Sequence, residues 1–229
     1  LDCTNALEPD LCVITSLGLD DVEILGNPIE SIAAEKAGIV RPGVPLVLPG
    51  TLDARARAVI EGVARERGAP ILRAARPNRP SAPRPEVEWE TRCNRWPDLK
   101  LGGGELRAAF QLDNLGTALA ALEGLERGGL AISRDALERG VRATRWPGRF
   151  ESAPGVPRLW WDGAHNADGM AALECAWQRR SLAAPVAVVL AVSHDKDLAG
   201  MLGSLRRFAG DAVLFAARTR NPRALDPVT

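Results

Sequence analysis

The sequence predicts an α/β protein of two units, each built from apolar strands alternating with amphipathic helices. Two observations carry this reading. Short β-branched runs at Leu11–Leu17, Val44–Leu48 and Pro70–Arg73 are separated by helical patterns, as parallel βαβ units require. The same rhythm resumes beyond Pro147-Gly148, where a domain boundary is expected, giving units 1–147 and 148–229, the second incomplete.

In the first unit, Leu11–Leu17 is continuous and apolar, which suits a strand buried on both faces. Ile29–Ala37 reads as a short helix with Pro28 near its first turn and Gly38 as its stop. Asp53–Arg67 is an amphipathic helix ended by Gly68, and the Pro- and Arg-rich stretch 76–85 is a solvated connection. Two or three antiparallel strands are expected between Val87 and Phe110, followed by helices at Leu112–Arg127 and Arg134–Thr144, the second capped by Ser133. The second unit should carry strands at Arg158–Trp161, Val186–Val192 and Ala212–Ala216. Helices are expected from Asn166 and at Leu198–Phe208.

With 229 residues, 46% hydrophobic content, 25% charge and zero net charge, the composition is that of a soluble globular protein. It offers no basic stripe for nucleic acid or an anionic membrane, no run of membrane-spanning length and no signal-peptide pattern. Cys3, Cys12, Cys93 and Cys175 are scattered, which favours reduced thiols in a cytoplasmic protein over a disulfide or zinc framework. Of the 29 basic residues only Lys36, Lys100 and Lys196 are lysine, and His165 and His194 are the two histidines. A lysine here is therefore a departure from the prevailing arginine.

Three stretches could carry chemistry. In the first, Asp20, Asp21 and Glu23 follow a strand and lead into a helix bearing Glu35 and Lys36. Carboxylates beyond a parallel strand suit Mg²⁺, and Lys36 supplies an amine that can lose its proton where guanidinium cannot. A solvated acidic loop is the plainer alternative. In the second, Trp146–Glu151 (WPGRFE) precedes Trp161–Asn166 (WDGAHN). Arg149 could hold a phosphate and Asp162 could accept from ribose hydroxyls, against the alternative of a linker arginine and a helix cap. The third, Ser193-His194-Asp195-Lys196-Asp197, only superficially suggests a catalytic triad, because adjacent residues cannot adopt triad geometry. A polar loop with a ligand contact fits better.

Six blocks recur together: LDCTN at Leu1, the long stretch from Ile14 through Pro45, FQLDNLGTALAAL from Phe110, RWPGRFE from Arg145, WDGAHNADGM from Trp161, and HDKD from His194. Together they resemble the folate branch of the Mur ligase superfamily, the dihydrofolate/folylpolyglutamate synthases. The resemblance implies part of a central P-loop-like ATPase domain followed by a truncated Rossmann-like C-terminal domain. It also implies a monomeric, ATP- and Mg²⁺-dependent ligase that adds L-glutamate to dihydropteroate or a folate through an acyl phosphate. Carried over by position, Leu1, Asp2 and Cys3 would contact the pteridine-bearing substrate. Asn114, Arg149 and Asp162 would contact ATP. Lys36 would be carboxylated to a carbamate that supports the metal. Arg149, Lys36 and His165 would serve catalysis.

Two departures from the family pattern bear on this expectation. No G-x-x-x-x-G-K-[ST] phosphate loop is written in the chain, so the sequence is expected to be the middle half of a longer enzyme, inactive on its own. Asp21 stands where the family places a metal-binding histidine, fifteen residues before Lys36, adding negative charge beside the nucleotide. Another Mur-type amide ligase and a non-catalytic remnant are the competing readings.

Overall fold

The computed structural model describes residues 6–17, 29–75, 89–91, 95–96, 99–101, 109–180, 182–183, 185 and 187–226. The chain divides into two units, the first ending at Trp146 and the second running from Pro147.

The first unit is organised by a three-stranded parallel sheet in the order β1-β2-β3, with β1 at Cys12–Val13, β2 at Leu46–Leu48 and β3 at Ile71–Arg73. Its side chains alternate between two hydrophobic layers, as the period of two requires. Cys12, Ile14, Leu46 and Leu48 pack with helices α1 (Ile29–Lys36) and α2 (Ala54–Glu66), through Ile32, Ala33, Ala56, Ile60 and Ala64. Leu11, Val13, Val47 and Leu72 point the other way, against Ala120 and Ala121 of α3 (Ala109–Arg127). Helices on both faces explain why these strands read as continuous apolar runs.

Helix α1 does not stop on a left-handed glycine at Gly38. It tightens into a 3₁₀ turn at Ala37–Ile39, closed by the Val40 N–H on the Ala37 carbonyl at 3.1 Å. Asp53 caps α2 by accepting from the Arg55 and Ala56 amides. The expected antiparallel segment is present as β4 (Trp89–Thr91) paired with β5 (Leu99–Leu101). Helix α4 (Arg134–Ala143), capped by the Ser133 hydroxyl, packs on α3 through Leu137, Leu115, Leu119 and Trp96.

The second unit begins differently from expectation. The strand foreseen at Arg158–Trp161 runs Val156–Trp161 (β7) and pairs antiparallel with an unforeseen β6 at Glu151–Ala153. Gly155, at φ +74°, turns the hairpin, and a register shift at Ser152/Ala153 accommodates Pro157, which has no N–H for a ladder. Helix α5 (Ala167–Arg179), β8 (Ala187–Leu190), α6 (Leu198–Ala209) and β9 (Val213–Ala216) follow, with β8 and β9 parallel. Met170, Met201, Leu205 and Ala209 form the core, and Val188 and Leu190 pack on it from β8. No helix among the described residues is long and apolar enough to cross a membrane.

Candidate functional site

The second unit brings Arg149, Asp162 and His165 into one loop framework at the mouth of the β6–β7 hairpin. The framework starts from backbone geometry. Gly148 (φ +73°) and Phe150 (φ +50°) are both left-handed, and Arg149 sits between them. A non-glycine residue in that region is uncommon and needs compensation. Phe150 obtains it from burial: the residue is 1% exposed, its ring tilted against Trp160 with centroids 4.9 Å apart and edge to face with Trp177 at 6.2 Å. With Phe150 turned inward, Arg149 is left exposed.

Asp162 ends the turn from the opposite strand. Its Oδ2 accepts the Phe150 N–H at 2.7 Å, and its Oδ1 accepts the Ala164 N–H at 2.7 Å. Burial pushes the Asp162 carboxyl above the usual carboxylate range; the two amide donors and the Arg149 and His165 charges pull it down without overcoming the desolvation. The Gly163 N–H donates to the Gly148 carbonyl at 2.7 Å, which seats the Arg149 turn on the loop after β7. The approach is close enough that a Cβ at Gly163 would lie 3.9 Å from the Arg149 guanidinium carbon.

His165 is exposed, and its Nδ1 donates to the Gly163 carbonyl at 2.8 Å, fixing the tautomer that leaves Nε2 as an acceptor when neutral. Asn166 caps α5 by accepting the Gly169 N–H at 2.7 Å, so this member of the DGAHN run has a simple capping role. A guanidinium, an imidazole and the start of a helix thus share one loop system, an arrangement suited to an anionic group.

Glu151 was quoted in the sequence motif without a role. Its Oε2 accepts the Gly148 N–H at 2.9 Å and the Trp161 indole N–H at 2.6 Å, across a β6–β7 register that places Glu151 opposite Trp161. The available signal was its isolation, since it is the only acid between Glu138 and Asp162.

The remaining candidates belong to the first unit. Lys36 closes α1 with its side chain one-third exposed and its Nζ 3.7 Å from Glu35. Asn114 is exposed on α3. Leu1, Asp2, Cys3 and Asp21 lie outside the described residues. No group of three or more His, Cys, Asp or Glu that could hold a metal occurs among the described residues, so these by themselves do not build a Mg²⁺ site. A groove of about 420 Å³ between β3 and α3 is lined by Arg73 and Arg127, each already paired at 2.8 Å with Glu61 and Glu123, and contains none of the candidate residues. In the Ser193–Asp197 loop, Asp197 caps α6, and Asp195 Oδ2 lies 3.6 Å from Arg223 and 4.0 Å from Lys196.

No protein-family model matches the chain. Among curated proteins it is 34% identical over 222 residues to the dihydrofolate synthase/folylpolyglutamate synthase of Bacillus subtilis, covering 94% of this chain and 50% of that protein. The Escherichia coli enzyme of the same name is 31% identical, with 97% and 50% covered. Among solved structures, E. coli FolC in complex with DHPP and ADP superposes with a TM-score of 0.76 at 30% identity, covering 98% of this chain and 51% of that one. Mycobacterium tuberculosis folylpolyglutamate synthase complexed with ADP and AMPPCP gives 0.79 at 27%, with 98% and 51% covered. The chain thus spans about half the length of the relatives it matches. The resemblance read from the six sequence blocks is borne out, and so is the Mur ligase-type α/β fold.

Proposed function

We propose, with kinship to the dihydrofolate/folylpolyglutamate synthases as the premise, that this chain is part of an ADP-forming ligase joining L-glutamate to dihydropteroate or a folate. In this reading the carboxylate of the pteroate or folate attacks the γ-phosphate of ATP. The glutamate amine then displaces phosphate from the resulting acyl phosphate. The protein's share of such chemistry is positioning and charge stabilisation.

The observation that carries the reading is the presentation of Arg149. Two left-handed residues, a buried phenyl ring and the Asp162 carboxylate hold its backbone, leaving the guanidinium exposed beside Gly163 at the approach to α5. A pre-set guanidinium can meet a phosphate bidentately without first paying to order its backbone. Asp162, whose two oxygens already brace the loop, would meet the nucleotide through remaining lone pairs. His165, with Nδ1 on the Gly163 carbonyl, would accept a transferring proton at Nε2 when neutral and donate from Nε2 to a phosphate when protonated. Asn114 would contact nucleotide, and Leu1, Asp2 and Cys3 the pteridine-bearing substrate. Lys36, as a carbamate, and Asp21 would support Mg²⁺, which neutralises phosphate charge when bound. Reduced thiols at Cys12 and Cys175 agree with a cytoplasmic enzyme, and we take it to act as a monomer.

Arg149→Ala in the full-length protein tests the reading. A contact that strengthens as phosphate charge shifts should lower kcat by roughly 10²–10³ while folate KM stays close to wild type. An unchanged kcat with only a raised folate KM would assign Arg149 to the linker instead.

A further inference from the structure

We propose that Glu151 is the positioning residue for Arg149, setting the orientation of its turn without touching substrate; this rests on the phosphate role given to Arg149 above. The Arg149 turn has two flanks, and they are held by different acids. On the Phe150 side the peptide N–H is fixed by Asp162, and the ring is buried among Trp160 and Trp177. On the Gly148 side no ring can anchor the chain, and a glycine at φ +73° has more conformational freedom than any other residue. There the residue is held at both its backbone polar groups, one in each flanking peptide: the N–H by Glu151 Oε2 at 2.9 Å and the carbonyl by the Gly163 N–H at 2.7 Å.

Glu151 is itself placed by the hairpin. It is the first residue of β6 and stands opposite Trp161 in the register, so the indole N–H reaches the same Oε2 at 2.6 Å. One oxygen therefore receives two donors, one from the turn and one from the rigid strand. It ties the freer flank of the Arg149 turn to β7, the strand that ends at Trp161, immediately before Asp162. Removing that oxygen leaves the Gly148 N–H and the Trp161 indole without this acceptor and lets the Pro147–Gly148 peptide rotate, with the Gly148 carbonyl still tied to Gly163. A guanidinium displaced by about 1 Å from a reacting phosphate can cost up to roughly 10² in rate.

The bond pattern separates positioning from charge. A single carbonyl oxygen can accept both donors, so glutamine can reproduce the tie and alanine cannot. The test is steady-state kinetics on the full-length protein with Glu151→Ala, Glu151→Gln, Arg149→Ala and the double variant Glu151→Ala/Arg149→Ala, with thermal melts of each. Glu151→Ala should lower kcat by roughly 10- to 10²-fold with folate KM little changed. Glu151→Gln should recover a large share of that loss. In the Arg149→Ala background, Glu151→Ala should cost little more, because its effect runs through the missing guanidinium. Equal impairment of the glutamine and alanine variants, or losses that multiply in the double variant, would overturn the positioning role while leaving the Arg149 reading intact. If Arg149→Ala alone keeps its kcat, the phosphate reading fails, and the positioning role fails with it.

Discussion

The Phe150 amide and the Asp162 carboxylate, twelve residues apart, are joined by a 2.7 Å hydrogen bond that fixes a left-handed phenylalanine at the base of the Arg149 turn. The other Asp162 oxygen accepts from Ala164, so one side chain braces the loops on both sides of the hairpin.

The burial of this side chain, which outweighs its two amide donors, sets a stability prediction with a definite pH sign. Burial raises the Asp162 pKa in the folded protein, so the native state binds its proton more tightly than the unfolded chain, whose aspartate titrates near about 3.9. The contribution of this group is fully present below the unfolded value and is lost as pH rises through the raised folded value. Asp162→Asn removes that dependence, and its amide nitrogen cannot replace the second acceptor, costing about 1–3 kcal/mol. Urea melts at a series of pH values should show wild type gaining on the variant as pH falls from 7 toward 4. A stability difference that is flat across this range would contradict a raised Asp162 pKa.

The second prediction concerns the packing of α3 on the sheet. A Cβ at Gly124 would fall 2.5 Å from Leu11 Cδ1 and 2.6 Å from Leu72 Cδ1, whose side chains fill the layer between sheet and helix. Helix propensity favours alanine there by about 1 kcal/mol, but both leucines must move to admit it. Overpacking should win, with Gly124→Ala destabilising by about 1–3 kcal/mol in chemical denaturation. An unchanged or raised denaturation midpoint would show that Leu11 and Leu72 turn aside freely. Gly62, which is on α2 with open space around its added Cβ, is the control expected to gain from alanine.

The sequence made the first unit legible because its strands are covered on both faces, so composition and period pointed the same way. Leu46, Val47 and Leu48 alternate between two helical layers, and no polar position interrupts the run. The second unit was read less well. β6 is written Glu-Ser-Ala, a composition without strand preference, and it exists because Glu151 and Ser152 pair with Trp161 and Trp160 across a glycine turn. Pairing at that distance leaves no mark on a local window. The site followed the same division: Arg149, Asp162 and His165 were nameable from their motifs. The tie from Glu151 to Gly148 depends on the hairpin register and became visible only with the hairpin.

The last prediction concerns Lys36, which closes α1 with its amine one-third exposed and 3.7 Å from Glu35. In a chain that otherwise favours arginine, a lysine here suits a reaction open only to an unprotonated amine, attack on CO₂ to form a carbamate. That modification turns a cation into an anion, which alters the Glu35 pairing and supplies oxygen donors of the kind Mg²⁺ prefers. Lys36→Arg preserves positive charge and approximate length but cannot form the carbamate, so its ligase activity in the full-length protein should be nearly lost. Lys36→Ala should be equally inactive in plain buffer, yet regain some turnover when a short carboxylic acid is added to take the place of the carbamate. Mass spectrometry under conditions that retain CO₂ should find an added 44 Da on the wild type, the mass of one CO₂, and none on either variant. Near-normal activity of Lys36→Arg, or a bare amine at Lys36 in the active metal-loaded enzyme, would remove the carbamate from the mechanism.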